Sequence, residues 1–125
     1  MLAAESDADA LAALKAGVDA AGYGAQLTIS QTDLANAPLT GETLPPVDLA
    51  IIDPPRSGAA AQVTALVDAS SPPQRIAMVS CNPASFARDA AMLVAGGYVF
   101  DRLRMIDQFR FAPHVELVAG FVRQD

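Results

Sequence analysis

The sequence predicts an α/β fold: an open sheet, mostly parallel, that closes on an antiparallel C-terminal hairpin. Three observations predict it. Two compact apolar runs, Val47 to Ile52 and Arg75 to Ser80, each end at a proline-containing turn, as buried parallel strands do. Helix-like segments separate the strands, which gives strand, helix, strand, helix in order. The last two strand-like runs are joined by a short loop, which favours antiparallel pairing. At 125 residues the chain amounts to one domain at most, or part of one.

The elements follow in order along the chain. Ser6 to Ala21 is alanine-rich, with Leu11, Leu14 and Val18 at helical spacing. Ser6 is its expected cap, with Asp9 three residues on in a looser form of the capping box. Gly22 to Gly24 stops the helix. Gln26 to Gln31 alternates Leu27 and Ile29 with polar residues, a short strand. A polar loop follows, punctuated by Pro38, Gly41, Pro45 and Pro46. After the strand at Val47 to Ile52 comes a helix over Ala59 to Ala69, ended by Pro72 and Pro73. Arg75 to Ser80 is the next strand, and Ala84 to Ala95 a helix stopped by Gly96-Gly97. Tyr98 to Asp107 and Val115 to Val122 complete the strands.

Composition narrows the function. Hydrophobic residues make up 52% and charged residues 18%, a globular balance. Eight Lys and Arg against fourteen Asp and Glu leave a net charge of −6. That argues against a free-standing nucleic-acid binder, though not against a catalytic piece whose grip on nucleic acid lies elsewhere. One cysteine excludes an internal disulfide framework and an all-cysteine metal or iron–sulfur site within this chain. No apolar run reaches the roughly 18 residues of a membrane span, and the start lacks the pattern of a signal peptide. The expectation is a soluble cytoplasmic protein.

Ligands of open α/β sheets bind outside the carboxyl ends of the strands. Asp53 and Cys81 both sit at such ends. Cys81 precedes Asn82-Pro83 where a strand meets a helix N-terminus, a setting that favours a thiolate nucleophile. A small buried hydrophobe is the competing reading. Asp53-Pro54-Pro55-Arg56-Ser57-Gly58 is a stiff turn, because each proline locks its own φ and restricts the residue before it. It would aim Asp53 in a set direction. Arg56 can fork onto a carboxylate or phosphate. A stiff loop with a helix cap at Ser57 is the plainer alternative. His114 and Glu116 would share a face of the last strand. Glu116, between Val115 and Leu117, is suited to proton transfer if buried and is a solvated edge charge if not. His114, the only histidine, has no second ligand-type neighbour besides Glu116, so no metal site is expected. Glu5 and Asp33 read by default as a charge near a helix start and an Asx-type turn. A Gly-rich phosphate-binding turn is missing; Gly22-Tyr23-Gly24 lies in the wrong context for one.

Several segments together resemble the S-adenosylmethionine-dependent RNA uracil-5 methyltransferases. They are Asp53 to Gly58, then Val79-Ser80-Cys81-Asn82-Pro83-Ala84 with Ala87-Arg88-Asp89, then Asp107-Gln108-Phe109 and His114-Val115-Glu116. The resemblance covers essentially the whole chain, as the C-terminal part of that family's catalytic domain. It implies a Rossmann-like class I methyltransferase sheet lacking its first strand and Gly-rich turn. It makes Cys81 the nucleophile and Glu116 the base. Glu5 would hold the cofactor's ribose, Asp33 would lie by the adenine, and Asp53 would lie at the methyl-transfer site. Arg56 and His114 are candidate substrate contacts. S-adenosylmethionine is the implied cofactor; an iron–sulfur cluster, where relatives have one, would belong to the N-terminal part. RNA is the implied partner, with the wording around Cys81 and His114 closer to the ribosomal-RNA enzymes than to the transfer-RNA one.

Two other readings remain at this point. The chain could be a truncated or non-catalytic module that self-associates or needs a partner supplying the N-terminal half, since an incomplete sheet leaves an apolar edge. It could instead be an amino-group methyltransferase using the Asp-Pro-Pro loop, which leaves Cys81 and Glu116 without roles.

Overall fold

The computed structural model describes residues 1–107, 111 and 115–124. It divides into two units, Met1–Pro38 and Leu39–Asp125.

In the first unit, β1 (Leu2–Glu5) pairs in parallel with β2 (Thr28–Gln31), with Glu5 opposite Gln31. The crossover between them is α1 (Ala8–Ala20). Its cap is Asp7, not Ser6: the Asp7 carboxylate accepts from the backbone of Asp9 at 2.8 Å and Ala10 at 3.0 Å. Ser6 is diverted, because its hydroxyl donates to Glu5. The helix ends where Gly22 turns to φ +81°, with Tyr23 N donating to Val18 O and Gly22 N to Asp19 O. These are the two bonds of a Schellman stop. Of the expected apolar stripe Leu11 is buried, Val18 is half-buried and Leu14 is exposed.

In the second unit, β3 (Leu49–Ile52), α2 (Ala60–Val67), β4 (Arg75–Ser80), α3 (Pro83–Ala95), β5 (Tyr98–Ile106) and β6 (Glu116–Arg123) follow one another. The strand order is β3-β4-β6-β5. β3 and β4 are parallel; β4 with β6 and β6 with β5 are antiparallel. The hairpin expected from the short connection is present, and its second strand inserts next to β4. Register puts Ala50 and Ile52 beside Ile76 and Met78, and these beside Phe121 and Ala119, on one face. Val63 and Leu66 of α2 and Phe86, Ala90 and Leu93 of α3 join the same core cluster. Both helices of this unit thus cover one face of its sheet. The alternate positions Leu49 and Ile51 are exposed, against the burial on both faces that the apolar run suggests. β3 is an edge strand of this sheet, and α2 and α3 leave that face open. No described helix is long and apolar enough to cross a membrane.

Tyr98 starts β5 almost wholly buried and donates its hydroxyl to Pro73 O at 2.7 Å. Burial raises its pKa, and the Arg123 guanidinium, 5.5 Å from the ring centre, works against that rise. Tyr98→Phe would leave the buried Pro73 carbonyl without its donor, a loss of about 1–3 kcal/mol. Thermal denaturation should show the midpoint falling by several degrees. An unchanged midpoint would mean that water replaces the hydroxyl.

Candidate functional site

Three segments end on one rim of the second sheet. β3 and β4 run parallel with Ile52 opposite Met78, so Asp53 and Cys81 follow the carboxyl ends of adjacent strands. β6 runs back along β4 with Ser80 opposite Leu117. Cys81 follows Ser80 in the bend after β4, and Glu116 precedes Leu117 at the start of β6, so both lie just past the last pair of this ladder. Glu116 is also the last partner of β5, opposite Ile106. Cys81 and Glu116 are half-buried, and Asp53 and Arg56 are exposed. The rim thus carries a thiol beside a carboxylate, with a second carboxylate at the end of the next strand.

Local bonds fix the turn that holds Cys81. On its N-terminal side, the buried Ser80 hydroxyl donates to Asn82 O at 3.1 Å and accepts from Asn82 N at 3.2 Å. On its C-terminal side, Asn82 caps α3 by accepting from Ala84 N at 3.0 Å. Pro83 opens the helix at a position where no N–H is needed. The other end of the Asn82 amide donates to Arg56 O at 2.9 Å and so reaches the Asp53 loop. That loop makes a turn in which Gly58 N donates to Pro55 O at 2.8 Å, with Gly58 at φ +83°. Ser57 does not cap α2; the cap position is Ala59, whose methyl group cannot accept a hydrogen bond. Two residues of the Ala87-Arg88-Asp89 segment, given no role from sequence, also bear on this loop. Arg88 Nη2 donates to Ser57 O at 2.9 Å, and Asp89 Oδ2 accepts from Ala59 N at 2.6 Å. Their sequence signal is an Arg-Asp pair seven residues after the cysteine, which does not reveal its distant partners.

In the first unit, Glu5 ends β1. Its Oε1 accepts from Ser6 N at 2.6 Å, Asp7 N at 2.9 Å and the Ser6 hydroxyl at 3.0 Å. The Asp7 backbone N–H is the main cause that lowers its pKa, and the two Ser6 donors add to it. Oε2 takes none of these bonds and faces no competitor among them. Asp33 lies two residues past β2, with Oδ2 accepting from the Asn36 amide at 2.7 Å and Oδ1 from Ala35 N at 3.0 Å. Those bonds, the Asn36 one first, lower its pKa too. The Asx-type turn is therefore as expected for Asp33. A carboxylate whose folded pKa is lowered contributes stability that is present above its unfolded pKa and lost as pH falls through the folded one. The Glu5 carboxyl carbon should titrate below the ordinary Glu range in a carbon-detected NMR series, and the Ser6 and Asp7 amide shifts should follow the same transition. Ordinary Glu titration with static amides would show that these bonds do not persist in solution.

His114 lies outside the described residues. Among the described residues, no three His, Cys, Asp or Glu side chains gather as a metal cage.

Comparison with known proteins adds an independent line. The profile of a family described as tRNA (uracil-5-)-methyltransferase matches residues 46–123. An uncharacterized RNA methyltransferase of Caulobacter vibrioides is 41% identical over 121 residues, 97% of this chain and 29% of that protein. One from Brucella suis is 43% identical over 117 residues, 94% of this chain and 28% of that protein. The chain thus spans less than a third of the length of these curated relatives. The crystal structure of Pyrococcus abyssi tRNA (uracil-54, C5)-methyltransferase in complex with S-adenosyl-L-homocysteine superposes with a TM-score of 0.76 at 32% identity, covering 98% of this chain and 28% of that one. An S-adenosylmethionine-dependent O-methyltransferase from Thermotoga maritima, at 14% identity and a TM-score of 0.63, covers 99% of this chain and 50% of that one, and shares the fold.

Proposed function

The chain belongs to the tRNA (uracil-5-)-methyltransferase family, and on that premise we propose that it is the part of an RNA methyltransferase that methylates carbon 5 of a uridine through a covalent Cys81 adduct. The observation that supports the reading is the register at the rim: Ser80 pairs with Leu117, so Cys81 and Glu116 both lie just past the last pair of the β4–β6 ladder, and Asp53 ends the strand next to β4. Neighbouring strands lie about 4.8 Å apart, so two such side chains are within reach of one planar ring.

The chemistry needs both groups. Carbon 5 of uracil is too poor a nucleophile to be alkylated unaided. Addition of the Cys81 thiolate to carbon 6 places enolate charge on carbon 5. Once carbon 5 carries its new substituent, Glu116 takes the carbon-5 proton, the double bond re-forms and the thiolate leaves. Glu116 must reach the substrate and needs no hydrogen bond to Cys81. S-adenosylmethionine, when bound, supplies an electrophilic methyl group on a sulfonium.

The residues present fit that cofactor. Glu5 stays ionised at neutral pH and keeps Oε2 clear of its local bonds, as a carboxylate accepting from a ribose hydroxyl must. By the family resemblance Asp33 would lie at the adenine and Asp53 at the methyl end, with Arg56 and His114 toward the RNA. The sequence around Cys81 and His114 favours ribosomal RNA, whereas the matched family description and the Pyrococcus protein name transfer RNA. An assay should therefore offer both.

Calorimetry of S-adenosylhomocysteine with the 125-residue chain tests the reading first. One-to-one binding in the micromolar range, roughly −8 kcal/mol, is expected. It should weaken about tenfold or more in Glu5→Gln if the carboxylate holds the ribose, because hydrogen bonds to a charged group contribute roughly 1.5–3 kcal/mol. A folded wild-type chain that gives no binding heat would overturn the cofactor assignment.

A further inference from the structure

Asp89 is the only carboxylate among the described residues that is fully buried, at 1% exposure, and the chemistry proposed above does not use it. Both of its oxygens are engaged. Oδ1 accepts from Arg88 Nε at 2.8 Å and lies 2.6 Å from Arg88 Nη2. Oδ2 accepts from Ala59 N at 2.6 Å. Arg88 Nη2 also donates to Ser57 O at 2.9 Å. Asn82, the cap of the same helix, holds Arg56 O. The cap of α3 and two of its side chains thus grip the backbone at residues 56, 57 and 59. Between these points sits Gly58, where an added Cβ would collide with Arg88 Nη2, Asp89 Oδ2 and Ser85 Cβ. The loop lies on α3 so closely that only glycine fits.

The Asp89 carboxylate is buried and the Arg88 guanidinium is half-exposed, so desolvation of the acid and solvent screening of the cation leave the pair little net stability of its own. This pair spends its bonds on the backbone of one loop. We propose that Arg88 and Asp89 are a positioning pair that locks the Asp53–Gly58 loop onto α3 and thereby sets Asp53 in register with Cys81. The proposal rests on the reading of Asp53 and Cys81 as site residues. The fork of the guanidinium is essential to it: one arginine bridges Asp89 and Ser57 O at once. A lysine keeps the charge but presents a point, not a planar fork.

Arg88→Lys and Asp89→Asn in the 125-residue chain test this by amide hydrogen exchange. In Arg88→Lys the Gly58 and Ala59 amides should exchange about tenfold faster or more, as a locally released segment does. Met78 in β4 should stay within about twofold of wild type, since local opening leaves core strands protected. S-adenosylhomocysteine affinity should fall by a similar factor at an unchanged melting temperature. Asp89→Asn should release the loop further; if it fails to fold, Arg88→Lys still decides. Unchanged loop amides, or loop and Met78 amides speeding up together, would overturn the proposal, and so would released loop amides with undiminished affinity. A wild-type chain that binds no S-adenosylhomocysteine would overturn the cofactor assignment instead, and the exchange data would still decide the lock.

Discussion

Cys81→Ala is expected to abolish covalent capture of uridine-containing RNA and to reduce methylation by about 10⁴-fold or more, the scale at which loss of a nucleophile acts. Cys81 is the only thiol in the chain, so an adduct has no second origin. Alanine keeps the small volume at this half-buried position and leaves the Ser80–Asn82 bonds that shape the turn in place. Loss of activity would then come from loss of the nucleophile and not of the fold, which a melting curve verifies. RNA carrying 5-fluorouridine makes the readout direct. Thiolate addition to carbon 6 proceeds, but fluorine cannot depart as a cation where a proton would. The wild-type chain, with S-adenosylmethionine, should give an adduct that survives denaturing electrophoresis, and Cys81→Ala should give none. Methylation undiminished in Cys81→Ala would favour amino-group transfer at the Asp-Pro-Pro loop. A wild-type chain that forms no adduct would count against uracil chemistry.

How much of this was legible in the sequence depends on distance along the chain. β3, β4 and both of the helices after them are local: apolar runs bounded by Pro54, Pro72 and Gly96 mark them. The boundaries moved where local donors had a choice. Ser6 and Asp7 can both cap α1, and Glu5 decides by taking the Ser6 hydroxyl. β1 is four residues long, too short to announce itself as more than an apolar stretch ending in Glu5. Non-local facts were not readable. Placing β6 between β4 and β5 requires knowing that β4 offers a free edge, and the position of Cys81 and Glu116 at the same end of the β4–β6 ladder follows from that placement alone. The carboxylate at the start of α2 comes from Asp89, thirty residues on, where no capping rule looks. The sequence placed Asp53 and Cys81 on one rim, at the carboxyl ends of two strands, and listed Glu116; that Glu116 joins the same rim is a matter of sheet order.

Glu116→Gln separates the second half of the reaction from the first. Glutamine matches the size of glutamate, so β6 keeps its start opposite Ile106 and its half-buried environment. The thiolate of Cys81 is untouched, so addition to carbon 6 and alkylation at carbon 5 should proceed. What the amide cannot do is accept the carbon-5 proton. Turnover should fall by about 10²–10⁴-fold, the usual contribution of a positioned general base. Covalent protein–RNA adduct, invisible at steady state in the wild type, should accumulate on ordinary uridine with a methyl group already in place. Mass spectrometry of the digested adduct reads both features. The order of events is what makes this informative: Cys81→Ala blocks entry to the intermediate and Glu116→Gln blocks exit, so their phenotypes differ even though both lose activity. Slow turnover without adduct would move Glu116 from proton removal to holding the base. An undiminished rate would require another acceptor on the rim, and Asp53, at the end of β3 on the far side of β4, is the first to replace.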